Sequence, residues 1–147
     1  MADTVSVEYL YPPNLLDEDW DDRAGNRKVI VHFKGVSDGT GETDVVKVDL
    51  SDLKTHNGVV PAKTAVESIQ WHVNGCTVDL EWDRAPHASI FQINANGTED
   101  NGKVCWENIG GRVDPGDDDL TGDILLTTTN VDSGDSYEIT MCLRLKE

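Results

Sequence analysis

Positive charge is what this 147-residue sequence has least of: 12 Lys and Arg stand against 28 Asp and Glu, for a formal net charge of −16. Binding nucleic acid by counterion displacement needs a cationic contact face, and the field of this chain repels phosphate. An anionic membrane surface is disfavoured for the same reason. Long apolar runs are also missing. No stretch reaches the roughly 18 apolar residues of a membrane-spanning helix, and the opening MADTVSVEYLYPPN has neither the basic nor the apolar region of a signal peptide. The cysteines, Cys76, Cys105 and Cys142, are odd in number, so any disulfide scheme leaves one over. Two of them lie in strand-like runs, where a small buried thiol is the ordinary role. A reducing compartment during folding is the expectation.

Signatures of catalysis are absent as well. The sequence contains no G-x-S-x-G elbow, no P-loop lysine motif and no G-x-G-x-x-G. His32 and His72 fall in strand-like segments and His56 and His87 in turns, which is no triad by itself. Acidic pairs are so abundant that no particular pair singles itself out for acid–base work. The expectation is no enzymatic activity and no cofactor. One loop is a cation candidate: DPGDDDLTGD places Asp114, Asp117, Asp118, Asp119 and Asp123 within ten residues, the hard-oxygen chemistry that calcium takes, but without the EF-hand spacing. The competing reading is a solvated acidic loop.

What the sequence does have is alternation. VIVHF (29–33), VVKVDL (45–50), ASIFQI (88–93), KVCWE (103–107) and DILLTTT (123–129) read as short strands separated by Gly, Asn and Asp turns. In SYEITMCLRLK, Tyr137, Ile139, Met141, Leu143 and Leu145 share one face. The segment SDLKTHNGVVPAKTAVES, with a second Asn-Gly pair at Asn57-Gly58 and with Pro61, has room for at most one helical turn before Ile69. In IQWHVNGCTVDLEW (69–82), Asn74-Gly75 predicts a two-residue type I′ hairpin, with Trp71 opposite Val78 and Ile69 opposite Leu80 on a core face. That register sends His72 and Cys76 to opposite sides, which argues against a shared zinc ion. Trp71 and Trp82 then belong to the core side and Trp106 is unassigned. The alternative, an aromatic platform for carbohydrate, requires exposed rings.

Seven or eight such strands with no helical period predict one all-β domain, an antiparallel, jelly-roll-like β-sandwich over residues 28–147. At this length a chain buries about two-thirds of its unfolded surface. Residues 1–27 differ in composition. Pro12-Pro13 follows Tyr9-Leu10-Tyr11, and Leu15, Leu16 and Trp20 stand among five acids, Asp17, Glu18, Asp19, Asp21 and Asp22. Pro-Pro is excluded from a central strand, so this stretch reads as an extended arm docking on its own domain or on a neighbour. Tyr9, Tyr11, Leu15, Leu16 and Trp20 are the predicted partner contacts.

Three segments carry a resemblance: GGRVDPG (110–116), GDILLTTTNVDSGDSYEITMCLRLK (122–146) and the upstream IQWHVNGCTVDLEWD. Together they resemble small virion structural proteins of tailed bacteriophages, the capsid decoration or cement proteins. The resemblance covers roughly the C-terminal half and does not extend to residues 1–27 or to Asp117–Asp119. It implies a sandwich that adds to the outside of a preformed head, often as a homo-trimer at a symmetry axis, with the major capsid protein as partner and without contact to nucleic acid or membrane. Acidity suits the exterior, because the interior holds nucleic acid. A tail- or fibre-associated carbohydrate-binding module is the alternative.

Overall fold

A computed structural model of the chain describes residues 4–11, 28–53, 59–84, 86–114 and 122–146. Nine strands are seen among them: β1 (Thr4–Tyr11), β2 (Lys28–Asp38), β3 (Val45–Val48), β4 (Lys63–Asn74), β5 (Thr77–Trp82), β6 (Ala88–Asn94), β7 (Glu99–Cys105), β8 (Ile124–Thr129) and β9 (Ser133–Lys146). All pair antiparallel, in a five-stranded sheet of order β1-β2-β9-β4-β7 and a four-stranded sheet of order β3-β8-β5-β6. Without β1, the chain passes between the sheets at every connection but β5 to β6. This is the jelly-roll order, so the all-β sandwich expected from the alternation is the observed architecture.

Alternation explains the core. In β9 the five residues Tyr137, Ile139, Met141, Leu143 and Leu145 are all buried, and across from them lie Val29, Val31 and Phe33 of β2 and Val66, Ile69 and Val73 of β4. The four-stranded sheet answers with Val78, Leu80, Trp82, Ile90, Ile93, Ile124 and Leu126. Face-to-face packing of the two inner surfaces removes this apolar area from water, at roughly 25 cal/mol per Å².

The predicted hairpin at Asn74-Gly75 is not one. β4 and β5 lie in different sheets, and the turn is a corner that carries the chain across the core. Gly75 has φ +89, whereas Asn74 is absent from the positive-φ residues, so the type I′ requirement at both centres is unmet. Instead Gly75 N–H donates to Thr98 O at 2.7 Å, and Gly97 N–H donates to Gly75 O at 3.0 Å. A Cβ at Gly75 would lie 2.1 Å from Asp135 Oδ1, so glycine is demanded by conformation and by space. The face assignment nevertheless holds: Ile69, Val73, Cys76, Val78 and Leu80 are buried, while His72 points outward.

Two boundaries also differ from expectation. β7 starts at Glu99, inside a segment read as a turn, and ends before Trp106; seven consecutive pairings with β4, from Asn74↔Glu99 to Ser68↔Cys105, override the low strand propensity of Asp, Asn and Gly. Residues 4–11, read as part of an arm, form an edge strand of the chain's own sheet, paired from Thr4↔Val36 to Tyr11↔Ile30. Pro12-Pro13, Asn57-Gly58 and Asp117–Asp119 lie outside the described residues.

Candidate interaction surfaces

β1 is the outermost strand of the larger sheet, and among the described residues its far side pairs with nothing. Its side chains alternate in the usual way. Val5, Val7 and Tyr9 stand opposite Gly35, Phe33 and Val31 and so face the core side, while Ser6 and Glu8 face outward. The fifth strand has no counterpart in the four-stranded sheet, and Val5 and Val7 stay 44% and 42% exposed. At the far end Leu10 and Tyr11 are exposed as well, next to the irregular pairing between Tyr9 and Tyr11. An edge of this kind, with apolar side chains and no strand beyond it among the described residues, is a template for another strand.

The predicted contact residues divide. Tyr11 lies exposed on this edge. Tyr9 is half-buried against the core, and its phenol is pushed far above the ordinary value, first by burial and then by the charges of Asp52, Asp49 and Asp123. Leu15, Leu16 and Trp20 lie outside the described residues.

The outer face of the same sheet gathers the scarce cations. By register, Lys28, Lys34, Lys63, Lys103, Arg144 and Lys146 all share it, half of the 12 in the sequence. In the strands of the other sheet the one Lys or Arg is Lys47, which points inward and is buried. The outer face carries two imidazole–carboxylate pairs, His32 Nε2 to Glu138 Oε1 at 2.9 Å and His72 Nε2 to Glu99 Oε1 at 3.1 Å. Gln70, Trp71, His72, Glu138 and Thr140 line a shallow groove of about 430 Å³ there. His72 and Glu138 of this groove are each held in one of these pairs.

Two buried carboxylates were not anticipated, because nothing in a sequence this acidic distinguishes them. Glu67 is 1% exposed, at a register shift in β4 between Val66 and Ser68, and turns its carboxylate to the outer face. There it meets Lys28 Nζ at 3.0 Å and Arg144 Nη2 at 2.9 Å, beside the Cys142 thiol. Burial pushes this carboxyl up, but the hydrogen bond and charge of Lys28 and the charge of Arg144 outweigh it, leaving it below the ordinary range. The Cys142 thiol is raised, by burial first and then by Glu67. At the other end of the sandwich, Glu42 accepts a hydrogen bond from the Tyr137 hydroxyl and lies 2.7 Å from Lys47 Nζ, which itself sits 5.7 Å from the Tyr137 ring centroid. This buried trio ties the β2–β3 loop and β3 of one sheet to β9 of the other. Lys47 sits between valines in VVKV, which is the one sequence sign of it.

Among the described residues Trp71, Trp82 and Trp106 do not line up as a platform. Trp82 is fully buried; Trp71 and Trp106 are half-buried and pack on Phe91, at centroid distances of 5.1 and 5.9 Å, with Arg112 over Trp106. Of the acidic loop, Asp114 is buried against Arg84 Nε at 3.4 Å, and Asp123 accepts from Leu50 N–H at 2.9 Å. Both described ends of that loop are thus engaged by the fold. No family model matches the chain, and no curated protein matches it.

Proposed function

We propose that this chain is a structural virion protein, a capsid decoration or cement protein that adds to the outer surface of a phage head and bridges its subunits. The observation that carries the reading is β1, an edge strand with Val5, Val7, Leu10 and Tyr11 exposed, in a chain of net charge −16. Strand addition at such an edge supplies main-chain hydrogen bonds, and the exposed side chains supply apolar contact. Jelly rolls are common in viral shells, which is support by analogy of fold. The sequence resemblance to decoration proteins points the same way. The partner in this reading is the major capsid protein, the location the capsid exterior and the assembly a homo-trimer; many weak contacts then act together through multivalency.

The test is co-sedimentation with heads of the parent phage prepared without this protein. The wild-type chain is expected to load to saturation, and the double variant Val5→Glu, Val7→Glu to lose most of its binding while keeping its melting temperature within a few degrees, since both side chains are already exposed. Failure of the wild type to load refutes the reading, and full loading of the variant refutes the role of the edge.

A further inference from the structure

On the outer face of the four-stranded sheet, three carboxylates converge on one imidazole. His87 Nδ1 faces Asp44 Oδ1 at 3.5 Å and Glu81 Oε2 at 3.9 Å, and its Nε2 faces Asp83 Oδ1 at 3.7 Å. The groups come from separate places: the loop between β2 and β3, strand β5, and the segment between β5 and β6. Asp44, Glu81 and His87 each offer one ligand atom, and these atoms lie within 4.8 Å of one another. We propose that Asp44, Glu81 and His87 form a binding site for a divalent first-row transition-metal ion, with zinc as the reference case.

The spacing argues for it. The separations around His87 are too long for hydrogen bonds, which fall at about 2.7–3.2 Å. They suit two ligands of a common ion, since bonds of about 2.1 Å hold neighbouring donor atoms about 3.0–4.2 Å apart. The donor set sets the class of ion. An imidazole nitrogen with two carboxylates is a transition-metal set, whereas calcium and magnesium take oxygen throughout. This imidazole also separates the cluster from a merely acidic patch.

Support lies behind the ligands too. Thr127 Oγ1 donates to Asp44 Oδ1 at 3.1 Å and accepts from Asp44 N–H at 2.9 Å. This hydroxyl on β8 thus orients one of the two acidic ligands, as outer groups do around bound metals. The site is independent of the β1 edge and stands or falls apart from the proposed virion role.

The test is calorimetric titration of the full chain with zinc chloride, repeated with cobalt chloride to read the visible d–d bands. Because Cys105 is exposed and a thiol also takes zinc, the titration is made in a Cys105→Ser background. One ion per chain is expected, with a raised melting temperature. His87→Ala and Glu81→Gln are each expected to weaken binding at least tenfold, no less than the loss of a supporting group costs; Asp79→Asn is expected to leave it within about twofold. Absence of binding at millimolar metal, or binding undiminished in both ligand variants, overturns the proposal.

Discussion

At the scale of single residues, Glu67 shows why a buried charge is kept. Its two cationic partners are 47% and 42% exposed while it is itself buried, so water screens each partner but cannot replace them. Glu67→Gln leaves Lys28 and Arg144 without their anion and is expected to cost about 2 kcal/mol at neutral pH, measured by urea unfolding. The pH dependence has a definite sign. A carboxyl whose folded value lies below its unfolded one adds stability above the unfolded value, 4.5 for a reference Glu, and loses it as pH falls through the lower folded value. The gap between wild type and Glu67→Gln should therefore narrow as pH falls below the unfolded value of 4.5 and through the lower folded one. A gap that does not narrow on acidification would mean the carboxylate is not what holds the cluster. None of this was legible beforehand, since the outward parity of a bulged position depends on the bulge, and the bulge is set by pairing with β9.

At the scale of elements, the corner between β4 and β5 separates two explanations of the same dipeptide. A hairpin would need both Asn74 and Gly75 at positive φ; the corner needs only Gly75, which is also pressed by Asp135. Gly75→Ala is expected to destabilise by about 1–3 kcal/mol, from strain and from displacing Asp135. Asn74→Ala, at an exposed position, should stay within about 0.5 kcal/mol. Equal costs in thermal melts would restore the hairpin explanation. Alternation is a property of one strand and can be read locally. The partner of β4 cannot, because the neighbour opposite Ile69 is Met141, 72 positions away, and not the nearby Leu80. β1 was hidden for the same reason: it alternates, but its partner β2 lies beyond Pro12-Pro13, and it becomes a strand only beside β2.

At the scale of the molecule, charge is divided unevenly. Half of the Lys and Arg lie on one outer face, while Asp79, Glu81 and the nearby Asp44 mark the other, within a net charge of −16. Like-charge repulsion across so acidic a chain opposes the compact state, and salt screens it within a Debye length of about 8–10 Å at physiological ionic strength. Raising sodium chloride from 20 to 500 mM should therefore raise the melting temperature by about 4 °C, equivalent to ~1 kcal/mol. A fall instead would show that the surface ion pairs outweigh the net repulsion. Composition alone made the sign of this effect readable; the segregation between faces was not, because it follows from which strands became neighbours.

By itself the sequence determined the class of fold, the inward face of most strands and the sign of the net charge, because these follow from local alternation and composition. Only the tertiary structure decided that Asn74-Gly75 is a crossing between sheets, that residues 4–11 form the outermost strand of the larger sheet, and that His87 stands among Asp44, Glu81 and Asp83. The reason is physical: period and charge are carried along the chain, whereas neighbours across a jelly roll are chosen by burial of both inner faces at once.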